Sequence, residues 1–188
     1  MGVRRRYQTF MIVALLVLTI GVYIGRQQAT ALFHGSAGPD PAGHVSVIGF
    51  RDGEIFYEYE QHNLITTIGS KHLRNFLGFA NQTDAACIYL SLSDDGAPAA
   101  SWTKLPFEIA INGLDRATGD PTVINATAYQ VTYTWTATDT DTVDCTGLHW
   151  SATGESDGNM LAAAAISSVS LQANDMLQVT WTVNIPDG

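Results

Sequence analysis

The chain has 188 residues, with nine Lys and Arg against eighteen Asp and Glu and a formal net charge of −9. That is enough for one ordinary domain with a real core, and not for two. All eighteen acidic residues lie beyond residue 31 with only five of the basic ones, so this part carries −13; such a field repels polyanions, and no basic patch with interleaved aromatics offsets it, which argues against nucleic acid as a partner.

The first element is Tyr7 to Gly25, uncharged over nineteen positions and preceded by Arg4, Arg5 and Arg6. A basic flank before an apolar run is the pattern of an export signal or a membrane anchor, and the arginines hold the N-terminus on the cytoplasmic side. Ala29-Thr30-Ala31 supplies a small-residue cleavage site, whereas Arg26, Gln27 and Gln28 make a polar approach to it. Cleavage after Ala31 and a retained helix touching the membrane through residues 8–25 therefore both stand. In a third reading the segment resembles an archaeal prepilin leader, cut between Tyr7 and Gln8. All three place the remainder outside the cytoplasm, at a cell surface or beyond it.

Residues 1–31 thus form a signal peptide or anchor helix and 32–43, with two prolines and three glycines, a linker or N-terminal arm. Residues 44–188 form the domain. His44–Phe50 and Glu54–Glu60 flank Arg51-Asp52-Gly53, a strong hairpin signal. In the second run Ile55, Tyr57 and Tyr59 make an apolar face. A short helix follows, capped by Ser70 and ended by Gly78, with Leu73, Phe76 and Leu77 on one side. Ile88–Ser93 reads as a strand and Phe107–Ile111 as a shorter one. Within Thr122–Thr138, Val131, Tyr133, Trp135 and Ala137 alternate with threonines; Leu177, Val179, Trp181, Val183 and Ile185 repeat the pattern at the end of the chain. Thr142–Trp150 and Met160–Leu171 supply further strands. The expected fold is mainly β: an antiparallel sandwich, jelly-roll or immunoglobulin-like, with one short helix and a preceding hydrophobic helix.

Candidate sites are few. Cys87 and Cys145, an even pair in an exported chain, are expected to form a disulfide, with two buried thiols as the competing reading. Asn81-Gln82-Thr83 and Asn125-Ala126-Thr127 fit the N-glycosylation pattern. Asp139, Asp141 and Asp144 could offer oxygens to a structural calcium, but the run lacks the Gly and distal Glu of an EF-hand loop, and a solvated turn is the favoured reading. Trp135 and Trp181 fall on apolar strand faces and read as core, which leaves Trp102, with Tyr129, for ligand contact. Of the five histidines, His62 and His72 read as surface or turn residues, and His149 as able to bond across a sheet. No nucleophile–base pair, phosphate loop or metal-spaced cluster is readable, so no enzymatic activity is expected.

From His62 onward the order of features resembles small β-sandwich structural proteins of tailed phages and prophages. The matching stretches are His62-Asn63-Leu64-Ile65-Thr66 with Gly69; Ile88-Tyr89-Leu90-Ser91-Leu92; Gly96-Ala97-Pro98-Ala99; Leu105 with Glu108-Ile109; Arg116; Tyr133–Thr138; Gly147-Leu148; Met160-Leu161-Ala162; and Asp175–Val183. The resemblance implies a non-enzymatic virion or tail component. The hydrophobic front end departs from it and points to surface filaments, in which an N-terminal arm of one subunit fills a groove in the next. The expected function is a structural protein assembling with copies of itself at a cell or virion surface, as a filament or pilus-like subunit. The alternatives are a viral envelope, tail or fibre protein with a membrane helix, and an anchored module that binds glycan or protein.

Overall fold

A computed structural model describes residues 43–78, 86–153 and 158–184. The chain divides after Asp40 into Met1–Asp40 and a compact unit, Pro41–Gly188. The first, with the hydrophobic stretch, lies outside the described residues. Among those described, no helix is long and apolar enough to cross a membrane.

The domain is mainly β, two antiparallel sheets with one short helix. The strands are β1 (His44–Arg51), β2 (Glu54–His62), β3 (Leu64–Ile65), β4 (Tyr89–Ser93), β5 (Ala117–Thr118), β6 (Asp120–Asn125), β7 (Ala128–Thr136), β8 (Asp141–His149), β9 (Met160–Leu171) and β10 (Met176–Asn184), with helix α1 (Thr67–Gly78) between β3 and β4. The first sheet runs β2-β1-β10-β7-β6 and the second β3-β9-β8-β4-β5. Alternation builds the core between them. Val45 and Val47, Val131 and Trp135, and Leu177, Val179 and Trp181 of the first sheet meet Leu90, Leu92, Val143 and Leu148 of the second. Trp181 Nε1 reaches across to Thr146 Oγ1 at 3.4 Å. The opposite face of the first sheet carries a hydrogen-bonded threonine ladder, with Thr132 Oγ1 3.0 Å from Thr180 Oγ1 and Gln130 Nε2 donating to Thr182 Oγ1 at 3.1 Å.

The Asp52-Gly53 hairpin forms as expected, with both residues at positive φ. Ile55 does not share the face of Tyr57 and Tyr59. Gly49 pairs with Tyr57 and Phe50 with Ile55, so Phe56 is an extra, bulged residue that turns Ile55 to the outside, 59 % exposed. The outer face therefore carries an apolar row, Ile55–Phe50–Met176.

The second sheet is buried on both faces. Outward from the shared core it presents Ser91, Gly147 and Ala163 in one row and His149 with Met160 in the next, the change of phase at Leu161 being a bulge. Leu105, Cys145, Met160 and Ala163 form a second apolar cluster there, with Trp102 packed on it. Helix α1 and the connection from β4 to β5 cover this face. The helix begins earlier than expected. Its cap is Thr66, whose Oγ1 accepts from Gly69 N at 3.0 Å and donates to Met160 O at 2.6 Å, while Thr66 N donates to Leu161 O. Ser70 lies inside the helix. A Cβ on Gly69 would stand 2.1 Å from Leu161 O, so glycine is what lets helix backbone lie on strand backbone. Phe107–Ile111 forms no strand: it meets β4 in an isolated Ser93–Glu108 bridge, with Ile109 N donating to Leu92 O at 2.8 Å, and Phe107 at its start sits at φ 47°.

Candidate functional site

The polar centre of the domain lies under this cover. The single hydroxyl proton of Ser91 on β4 points at His149 Nε2 on β8, 2.7 Å away, and His149 Nδ1 lies 2.9 Å from Asn159 Oδ1. Asn159 Oδ1 also accepts from Arg116 Nη1 at 2.9 Å, so His149 carries its proton on Nδ1 and receives Ser91's on Nε2. Gly147 makes this possible: a Cβ there would stand 2.6 Å from His149 Nε2. The imidazole lies over the gap left by the glycine to reach the neighbouring strand.

Arg116 closes the network. Its guanidinium grips Glu108 through Nε–Oε1 at 2.7 Å and Nη2–Oε2 at 2.6 Å, and Nη1 also donates to the carbonyls of Ser151 and Thr153. The fork satisfies a nearly buried cation with a carboxylate and three further acceptors. Ser91 and His149 are wholly buried and Asn159 nearly so. Burial first, and Arg116's charge second, depress the His149 pKa to about 3, against the opposing pull of Asn159. Hydroxyl, imidazole and amide stand in the order that activates a serine nucleophile, but here the Ser91 oxygen is sealed beneath the cover. In this conformation the arrangement ties the cover to the sheet.

A second polar contact lies at the opposite edge. Arg51 meets Asp175 at 2.6 Å and stacks on Phe56, 4.4 Å from the ring centre. The Arg51 hydrogen bond, helped by Gln172 N, holds the Asp175 carboxyl below its ordinary range despite burial.

The residues singled out in the sequence are scattered by comparison. Cys87 and Cys145 are thiols, not a disulfide: Cys87 belongs to the core between the sheets and Cys145 to the cluster on the other face. Burial pushes the Cys145 thiol up to about 12. Asp141 is held by Asn112 Nδ2 and Thr142 N, and Asp139 by Thr140 N. Asp144 adjoins Gly96. Among the described residues no three His, Cys, Asp or Glu are placed to hold a metal ion. Trp102 packs on the second apolar cluster and Tyr129 on the main core, where burial raises its pKa. His72 is not a surface residue: it is buried, its ring stacked 4.1 Å from Trp150. Asn81 lies outside the described residues. Asn125 is exposed at the end of β6. Ser91, Asn159, Arg116 and Glu108 are the residues that sequence reasoning missed as a group, since their convergence depends on pairings across 58, 43 and 10 positions that no local pattern encodes.

What remains open to a partner is an edge. The second sheet ends in two-residue strands, β3 and β5, and offers little backbone. The first ends in nine-residue β2 and six-residue β6. β2 carries Glu54, Glu58 and Glu60, the kind of charge that discourages strand addition. β6 has one charge, Asp120, and all six of its residues are exposed, with Val123 at 80 %. No strand among the described residues pairs with its outer side. Compared with protein-family models, with curated proteins and with solved structures, the chain matches none.

Proposed function

We propose that this is a non-enzymatic structural protein that assembles with copies of itself at a cell or virion surface, as a subunit of a filament or pilus-like polymer. The domain is on this reading a jelly-roll or immunoglobulin-like sandwich behind a hydrophobic export or anchor helix. The observation that supports it is the open β6 edge: an exposed, nearly uncharged strand at the end of a five-stranded sheet. A chain carrying −13 beyond residue 31 repels its own copies. Contact between copies is least opposed where charge is sparse, which favours β6 over glutamate-bearing β2.

The occupant is an extended segment of the next copy, residues 32–43, which precede β1. Gly43 is bonded to Asn63, and a Cβ on it would stand 1.7 Å from Thr182 O. It thus lies at the end of the first sheet that also holds Asn184 and the β6–β7 turn. An arm leaving there and adding to β6 of a neighbour makes a head-to-tail contact, which propagates as an open filament.

The test is sedimentation and negative-stain microscopy of the full chain beside Val123→Lys and Glu58→Lys. Polymers of the native chain, lost in Val123→Lys and kept in Glu58→Lys, are expected. A native chain that stays monomeric at high concentration, or a Val123→Lys variant that polymerises equally, overturns the reading.

A further inference from the structure

The strand that offers the open edge ends in a glycosylation tripeptide, and the geometry of its turn is suited to acceptance. Asn125 is the last residue of β6, and Ala126 and Thr127 form the two-residue turn into β7. Asn125 Oδ1 accepts from both Thr127 N, at 2.8 Å, and Thr127 Oγ1, at 3.0 Å. The amide oxygen is therefore occupied by the +2 residue of its own tripeptide, and Nδ2, the nitrogen that carries a glycan, makes no hydrogen bond among the described residues. The residue is exposed, as is the whole of β6.

We infer that Asn125 is an N-glycan acceptor and that a glycan there closes the β6 edge to strand addition. The inference rests on the proposed self-assembly and adds a control to the same edge. In the transfer, Asn125 Nδ2 bonds the anomeric carbon of a polyprenyl-diphosphate-linked oligosaccharide and gives up a proton to the transferase. The carbon–oxygen bond to phosphate breaks and the lipid diphosphate leaves with its electron pair. A strand adds to an edge at a spacing of about 4.8 Å. A hydrated oligosaccharide rooted at the last residue of a six-residue strand exceeds that gap and sweeps the backbone beside it. The β2 edge has no such tripeptide; its deterrent is the three glutamates. The two long edges of one sheet are then guarded differently, one by fixed charge and one by a removable or optional group.

The experiment uses the full chain carrying Asn81→Gln, which leaves Asn125 in the sole acceptor tripeptide. It is made in a secretory host with N-glycosylation machinery and again in a host without it, so that the two products share one polypeptide. Glycopeptide mass spectrometry reads occupancy at Asn125, and sedimentation velocity reads assembly. Occupancy in the first product with assembly reduced at least tenfold relative to the second is expected. No glycan at Asn125, or equal assembly of the two products, overturns the inference and leaves self-assembly standing. If the unglycosylated product is itself monomeric, the self-assembly reading fails and the edge control falls with it.

Discussion

His149 is the residue whose chemistry is most changed by its surroundings. Its Nε2 has one donor among the described residues, the Ser91 hydroxyl, and both side chains are wholly buried. Ser91→Ala leaves that acceptor buried and unmatched, which is expected to cost about 1–3 kcal/mol in a denaturant titration. The pH dependence has a definite sign. With a folded pKa near 3 and an unfolded one of about 6.5, the unfolded chain takes up a proton that the folded one refuses. Stability is therefore fully present above pH about 6.5 and falls toward pH about 3, by at most about 1.4 kcal/mol per pH unit. Asp175, depressed by its Arg51 hydrogen bond, adds a loss that sets in only weakly below about pH 5 and grows through about 3.9, where the unfolded carboxyl is half protonated. Unfolding midpoints between pH 7 and pH 4.5 should thus decline for the native chain and hold nearly level for His149→Gln. Parallel curves would remove His149 as the cause.

Helix α1 is held to the second sheet by its first turn. Gly69 admits Leu161 O where a Cβ would collide, and Thr66 bonds both the helix and the β9 backbone. Gly69→Ala is expected to cost about 3 kcal/mol, the upper part of the range for overpacked sites. Thr66→Ala should cost about 1 kcal/mol through the lost cap, and Thr66→Ser much less. Unfolding of the full chain followed by tryptophan fluorescence checks both. Elements with one wet face were legible in the sequence. β7 and β10 announce themselves by alternation, and Trp135 and Trp181 fall in the core as that alternation requires. The second sheet was less legible because both of its faces are covered. Met160–Ala164 is buried at every position and so has no period to read. The disulfide expectation failed for the same reason: compartment and cysteine count argue for a bridge, but only the sheet shows that Cys87 and Cys145 face different layers. The His149 network was legible as a histidine within a strand and no further, since its partners arrive from β4, the long connection and the segment before β9.

At the scale of the molecule, charge and topology set the behaviour. With −13 beyond residue 31, the proposed contact between copies through β6 is opposed by long-range repulsion. Added salt screens it, the Debye length being about 10 Å at 0.1 M and about 3 Å at 1 M. Self-association of the full chain should therefore strengthen from low salt to about 0.5 M, whereas an interface built on ion pairs would weaken; sedimentation velocity across that range separates the two. The order β2-β1-β10-β7-β6 has a consequence in time. β1, the first strand of the domain, finds its inner neighbour only in β10, the last, with Val45 opposite Trp181 and Val47 opposite Val179. A ribosome that has made everything up to Asp175 has still not supplied the centre of that sheet. Until Met176–Asn184 emerges, the β1–β2 and β6–β7 hairpins have no strand between them in that sheet. The first sheet is therefore completed only when β10 is made, which joins the β1–β2 and β6–β7 hairpins into one sheet.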